Sequence, residues 1–373
     1  MGSGVTILAL YDRISLFHTM APWILGLHRH AGASNVALRF TDDPEWCLSR
    51  DTNEHLIIVR RFLKPPRTDL ALMERLRARY RRIFFLNGNA GGGLHRPEVL
   101  PYVDRFYNKA LFSDRALYSR ALYGGELFTD YYHREFGILD DPEVNPAAVS
   151  DADAAKLHVH WNIGVGDFPR RRLRQRVGVA LARTPAVSPR IVKPLIHTRG
   201  MLSPTALPPT DRTPRTIDIN ARLGAPGYPT IAFHRRHLGA ALEAAVSNHG
   251  WAAVRDRVSP RQYLADLHRS KITFSPFGWG ELCFRDFEAI RAGSLMVKPS
   301  MDHLDTWPDV FVPGETYVPV RWDGSDLEET MVRYLSDRRE RERIAANALD
   351  RLRTQLLELP ERAAGILEAL IAP

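Results

Sequence analysis

The chain has 373 residues, with 51 Lys and Arg against 43 Asp and Glu for a formal charge of +8, and 45% of it is hydrophobic. That length exceeds one typical hydrophobic core and suits two α/β domains. No apolar run approaches the length of a membrane span, and two distant cysteines, Cys47 and Cys283, argue against a disulfide framework or a structural zinc and fit a reducing cytoplasm. Fourteen histidines show no HExxH spacing, so no catalytic metal is expected.

Arginine clusters in RLRARYRR (75–82), FPRRRLRQR (168–176) and FHRRH (233–237). A phosphorylated small molecule, an anionic membrane surface or nucleic acid would each answer such charge. The arginines alternate with acids and apolar residues, and no compact nucleic-acid motif occurs, which places nucleic acid last.

The first half alternates strand and helix patterns. Strands are predicted over Val5–Leu10, Asn35–Phe40, Glu54–Phe62, Ile83–Leu86 and Leu157–Ile163. Helices are predicted over Thr19–His30, Leu70–Arg82 and Tyr102–Leu117. The NGNAGGG run at Asn87–Gly93 must be a loop. A connector rich in proline, serine and threonine separates the domains between Gly200 and Pro214. The second half repeats the alternation. Its strands are Thr216–Arg222, Trp251–Arg255, Lys271–Ser275, Leu295–Lys298 and Tyr317–Val320. Its helices are Thr230–His249, Pro260–Arg269 capped by Ser259, Glu281–Arg291, Leu327–Leu335 and Arg339–Leu357. The expected domains are 1–205 and 206–357, with a 358–373 tail packing back on the first. Strands separated by helices give mostly parallel sheets.

Ser275 to Pro299, SPFGWGELCFRDFEAIRAGSLMVKP, carries the most chemistry. Ligands of open α/β sheets sit beyond the carboxyl ends of the strands, where Pro276–Gly280 falls. Gly278 and Gly280 let backbone approach a ligand, and the amides opening the next helix suit phosphate. Glu281 and Glu288, seven apart, are expected on one helix face with Arg285. A carboxylate there can accept both hydroxyls of a ribose, and an arginine can neutralise a diphosphate. Trp279 is placed to stack on a sugar or base, or to fill the core.

This string resembles the donor-site signature of GT-B glycosyltransferases, closest to exostosin-like and glycosyltransferase-family-1 C-terminal domains. The resemblance covers roughly 215–357. It rests on the P-x-G-x-G turn, the R-x-x-E helix of Arg285 and Glu288, the Ala292–Gly293 step and the strand that follows. It implies two Rossmann-like α/β domains facing across a cleft. Glu288 would bind the donor ribose, and Gly278, Trp279, Gly280 and Glu281 would lie near the phosphates and sugar. Arg222 and Arg235 become diphosphate candidates. Many retaining members carry a glutamate at the position of Gly280, with Glu281 here one residue on, so the anomeric outcome stays open.

In the first half, Asp12 follows the first strand and is a candidate catalytic base; the alternative is a turn cap. Arg285 is the second catalytic candidate. His158 and His160 share a strand face, while Asn87, Asn89, Gly91–Gly93 and Asn162 could line the cleft. Asp302, His303 and Asp305 follow a strand end on the ligand side and could contact the donor sugar. The reading is a transferase of a sugar from a nucleotide-diphosphate donor to a saccharide, lipid-linked or other hydroxyl acceptor. No tightly bound cofactor or metal is needed, and peripheral contact with the membrane is allowed. A nucleotide-sugar hydrolase or epimerase of the same fold, or a basic nucleic-acid-binding protein, are the alternatives.

Overall fold

Runs such as HLIIV (55–59) and LMVKP (295–299) are buried on both faces, which is how strands inside a helix-covered parallel sheet read. The structure is a computed structural model, and it describes residues 4–31, 35–59, 68–140, 148–166, 172–184, 186–202, 207, 213–224 and 227–373.

The first half contains β1 (Gly4–Leu8), α1 (Ala21–Ile24), β2 (Ala37–Thr41), α2 (Pro44–Ser49), β3 (His55–Val59), α3 (Leu70–Arg79), β4 (Arg82–Leu86), β5 (Arg105–Asn108), β6 (Ala110–Phe112), α4 (Leu127–Phe136), α5 (Asp151–Ala154), β7 (Leu157–Val159), α6 (Arg172–Arg183) and α7 (Pro189–Ile196). Six of its strands pair in parallel, in the order β2-β1-β3-β4-β5-β7. The second half contains β8 (Ile217–Asn220), α8 (Pro229–His249), β9 (Ala253–Val254), α9 (Pro260–Arg269), β10 (Ser270–Phe274), α10 (Phe284–Arg291), β11 (Leu295–Pro299), β12 (Leu304–Thr306), β13 (Val318–Val320), α11 (Leu327–Ser336), α12 (Arg338–Leu357) and α13 (Leu359–Ile371). Its five-stranded parallel sheet runs β13-β11-β10-β8-β9. Two Rossmann-like domains thus face each other across a cleft, the GT-B arrangement. Among the described residues no helix is long and apolar enough to cross a membrane.

Helix ends follow local chemistry. Ser259 accepts from the Gln262 amide and Pro260 opens α9. Gly293, at φ +65°, stops the chain after α10, a backbone state that a Cβ would strain.

Three predicted helices differ. Tyr102–Leu117 is not a helix: it supplies β5 and β6, because its run of buried apolar residues satisfies a parallel sheet as well as a helix face. Thr19–His30 is broken into short turns, with Pro22 in α1 and Gly26 at φ +74° before the last turn. Glu281–Arg291 starts only at Phe284, where Asp286 accepts from the Cys283 amide at 2.8 Å and fixes the helix start. Glu281 therefore precedes the helix and shares no face with Glu288. Most of the predicted connector, 203–206 and 208–212, lies outside the described residues, as does 168–171 of the arginine-rich run.

Two features tie the halves together. β6 pairs antiparallel with β12, so the segment after β11 is stapled to the first domain. The Ser113 amide donates to the His303 carbonyl at 2.9 Å, and Arg115 pairs with Asp305 at 2.8 Å. Asp305 and His303 are thereby engaged in the domain contact. The final helix, α13, packs Leu359, Ala363, Leu367 and Leu370 into the first-domain core, and Trp23 Nε1 donates to the Ala363 carbonyl at 3.1 Å.

Candidate functional site

The mouth of the second sheet is built on buried polar chemistry. Lys298, in the middle of an apolar strand, meets both Asp286 oxygens at 3.2 Å, and both side chains are fully buried. Asp286 also accepts from Ser275 Oγ at 2.5 Å and from the Cys283 amide. One ion pair thus joins the end of β10, the start of α10 and β11, and holds the intervening Pro276–Gly280 turn between fixed posts. His234 of α8 holds the same turn from the other side. Its Nε2 accepts from the Phe277 amide at 2.9 Å. Its Nδ1 therefore carries the proton and donates to Tyr132 Oη at 2.7 Å, and Tyr132 donates on to the Trp322 carbonyl. Burial drives the His234 pKa well below its ordinary value.

Gly278 and Gly280 earn their identity by contact. A Cβ on Gly278 would sit 3.0 Å from Arg235 Nη2 and 3.2 Å from Cys283 Sγ. One on Gly280 would sit 2.6 Å from the Ala90 carbonyl carbon of the first-domain NGNAGGG loop. That loop accepts the Leu282 amide at 2.7 Å through the Ala90 carbonyl. Trp279, between the glycines, is 66% exposed and meets Tyr228 edge to face at 5.0 Å. It is not core.

Two guanidiniums flank this turn. Arg235 is held by the carbonyls of Phe277 (2.8 Å) and Gly224 (2.6 Å). Arg285 stands in the first turn of α10, and among the described residues its buried Nη1 has no hydrogen-bond partner. Burial, and next the charge of Arg285, hold the Arg235 pKa below its ordinary value. Two cations at mutual cost, beside a glycine turn and a helix N-terminus, make a site that an anion relieves. Glu288, one turn on, is half-buried and accepts from Tyr263 Oη at 2.8 Å. Arg222 is differently placed: it pairs with Asp266 at 2.6 Å and donates to the Asp256 carbonyl.

Glu281 is fully buried at the domain junction. Its Oε1 lies 3.1 Å from His303 Nε2, while its Oε2 is buried without a hydrogen-bond partner among the described residues. A Cβ on Gly91 would collide with Glu281 Oε2 and with Glu126 Oε1, so the two carboxyls converge over that glycine. Glu126, at the start of α4, accepts from the Gly93 amide at 2.6 Å and Asn89 Nδ2 at 2.8 Å. Burial first, then the nearby Glu126, push the Glu281 pKa well above the carboxylate range. Burial lowers His303 to about 4. Both shifts favour the neutral forms, so this contact is a buried hydrogen bond between Glu281 and His303 at the domain junction.

On the first domain, Asp12 accepts from the amides of Ile14 (2.9 Å) and Ser15 (3.1 Å) and from Ser15 Oγ (2.7 Å), which is a turn cap. His18, on the turn that follows, is buried and meets Phe284 of α10 edge to face at 5.0 Å. Asn162 bridges to the second domain: its amide donates to the Trp307 carbonyl at 2.6 Å and its Nδ2 to the Pro308 carbonyl at 2.9 Å. At the carboxyl ends of β4, β5 and β7, Asn87 buries both side-chain amide atoms without a hydrogen-bond partner among the described residues. Among the same described residues, Asn108 Oδ1 and His160 Nδ1 are also unpartnered. His158 stays on β7, its ring 5.4 Å from Tyr107.

Asp286, Lys298, His234, Tyr263 and Glu126 complete the site without having been singled out by sequence. Lys298 carried a signal, a cation inside the apolar run LMVKP. Among the described residues no group of three His, Cys, Asp or Glu side chains could hold a metal ion.

The buried histidines predict acid instability. Burial lowers His28 to about 4 and His160 to about 3, and holds His234 well below its ordinary value. Each is neutral in the fold and takes a proton on unfolding near pH 6.5. Their contribution is therefore complete above that value and is lost as pH falls toward the folded pKa. Thermal unfolding should show a melting temperature that drops steeply from pH 7 to pH 5, each histidine removing about 2 kcal/mol by pH 5. A flat profile over that range would contradict the neutral assignments.

Residues 223–367 match the glycosyl transferase-like family model. No curated protein is detectably similar in sequence. Among solved structures, Anabaena Alr3699/HepE in complex with UDP-glucose aligns over 98% of this chain and 100% of its own, at 9% identity and a TM-score of 0.40. An α,α-trehalose-phosphate synthase (UDP-forming) from Burkholderia vietnamiensis aligns over 85% of this chain and 75% of its own, at 12% identity and a TM-score of 0.44. A DNA-modifying β-glucosyltransferase aligns over 98% and 99%, at 11% identity and a TM-score of 0.46. Similarity at that level does not assign an activity.

Proposed function

We propose that this protein transfers a sugar from a nucleoside-diphosphate donor to an acceptor hydroxyl, with the donor held at the mouth of the second sheet. The observation that carries the reading is the Arg235–Arg285 pair beside the Gly278 turn, with Arg285 Nη1 buried and unpartnered. The family match over 223–367 supports it, because it spans this unit.

In this reading the diphosphate lies over Gly278 and the start of α10, between the two guanidiniums, and Glu288 accepts the ribose hydroxyls. Trp279 offers an exposed aromatic face to the base or sugar. The acceptor oxygen bonds to the anomeric carbon as the bond to the β-phosphate oxygen breaks, and that oxygen keeps the electron pair. The guanidiniums and helix amides stabilise the departing charge, so the reaction needs no metal. Arg222 is held by Asp266 through Nη2 and by the Asp256 carbonyl through Nε, so it is the least available of the three. The acceptor, a saccharide or a lipid-linked or other hydroxyl, enters from the first domain, where Asn87, Asn108 and His160 hold unpartnered polar atoms. Asp12 and His18 are the candidates to orient it or take its proton. A cytoplasmic setting belongs to the same reading and rests on the free cysteines Cys47 and Cys283.

Glu288→Gln tests the ribose assignment, since glutamine keeps an acceptor for Tyr263. Donor binding by calorimetry should weaken about 10- to 100-fold, the loss of a charge-assisted hydrogen bond, with the circular dichroism unchanged. Unchanged donor affinity and turnover would remove Glu288 from the site. Consumption of donor without any acceptor would favour a hydrolase or epimerase instead.

A further inference from the structure

Positive charge is not spread over this chain. From residue 168 to residue 210 there is no Asp or Glu, and the segment holds Arg170, Arg171, Arg172, Arg174, Arg176, Arg183, Arg190, Lys193 and Arg199. Those nine cations exceed the whole formal charge of +8, so the rest of the protein is close to neutral.

Within that stretch Arg172–Arg183 form α6 and Pro189–Ile196 form α7, and the two helices pack against each other. Gln175, Val179 and Ala182 point α6 into the first domain. Its other side leaves Leu173 74% exposed, with Val177 and Leu181 also exposed one and two turns on. On α7, Ile196 is buried while Ile191 and Leu195 are 66% and 58% exposed. Lys193 is tied to Asp42, but among the described residues Arg174, Arg176, Arg183 and Arg190 have no acidic partner. Exposed aliphatic residues at helical spacing cost free energy in water, and an acid-free cationic surround sets the sign of whatever covers them.

We propose that α6 and α7 form a docking surface for an anionic lipid bilayer. The aliphatic side chains enter the headgroup boundary, and the arginines meet lipid phosphates. A nucleic acid would answer the arginines but leave the five aliphatic side chains in water. A second copy would bring like charge against like charge with no acid to answer it. The surface lies on the first domain, whose core takes Val179, Ala182 and Ile196, and does not depend on the transferase reading.

The test is flotation of the full chain with vesicles of phosphatidylcholine alone or mixed with phosphatidylglycerol, at low and high salt. Binding is expected to the mixed vesicles and to fall steeply with salt. Arg174→Gln with Arg176→Gln should weaken it roughly thirty-fold. Leu173→Ser with Leu181→Ser, which removes no charge, should weaken it at least about tenfold with the melting temperature unchanged. The proposal fails if mixed vesicles are not bound. It fails equally if the serine variant binds them like the native chain, which with matching affinity for duplex DNA would mark a polyanion patch. Dimerisation abolished by the serine substitutions, without vesicle binding, would also overturn it.

Discussion

Arg285→Ala should lower donor-dependent kcat/KM by about 10²- to 10³-fold while leaving the protein at least as stable as before. The two halves of that expectation come from one arrangement. Arg285 shares the glycine turn with Arg235 and lowers its pKa, so the pair repels when no anion is present. Its buried Nη1 contributes no hydrogen bond to the fold. Removing it deletes a repulsion in the free protein and a charge-assisted contact in the complex, where each such bond contributes about 1.5–3 kcal/mol. A structural arginine would behave in the opposite way, losing stability with little effect on donor binding. Arg222, already paired with Asp266, is the internal control: Arg222→Ala is expected to act on stability first. Loss of stability in Arg285→Ala with donor use intact would refute the assignment.

Lys298→Met should cost about 3–5 kcal/mol, because it strands the buried Asp286 carboxylate. Lys298 and Asp286 are fully buried and meet at 3.2 Å, with Ser275 Oγ and the Cys283 amide completing the carboxylate's partners. Met matches the lysine stem in volume, so the loss reports the charge and not a cavity. The expected drop in melting temperature is about 10 °C for a domain of this size. The double substitution Lys298→Met with Asp286→Asn leaves no buried charge and should recover part of the loss. A single variant as stable as the native chain would mean that the pair does not hold the turn.

Much of the second domain was legible in sequence because its signals are local. Ser259–Pro260 marks a helix start, Gly293 a helix stop, and the glycine turn sits directly between a buried strand and a helix. Glu281 was misplaced for the same reason. Its neighbours ELCFRDF read as helix, but the Ala90 loop and His303, distant in sequence, draw it into the domain junction. Tyr102–Leu117 failed because aromatic and apolar residues buried on both faces carry no period that separates strand from helix. The β6–β12 ribbon and the return of α13 to the first core are likewise written in long-range pairing, which no window of sequence contains. Lys298 is the intermediate case: its apolar surroundings demanded a partner, but only the fold identifies Asp286.

The central claim is a diphosphate site at the Arg235–Arg285 turn. Calorimetry of UDP, GDP, ADP, CMP and dTDP without added metal, on the native chain and on Arg285→Ala, tests it most directly. We predict selective micromolar binding of one diphosphate by the native chain and its loss in the variant. No binding of any nucleotide, with or without magnesium or manganese, would contradict the claim, as would binding that Arg285→Ala leaves unchanged.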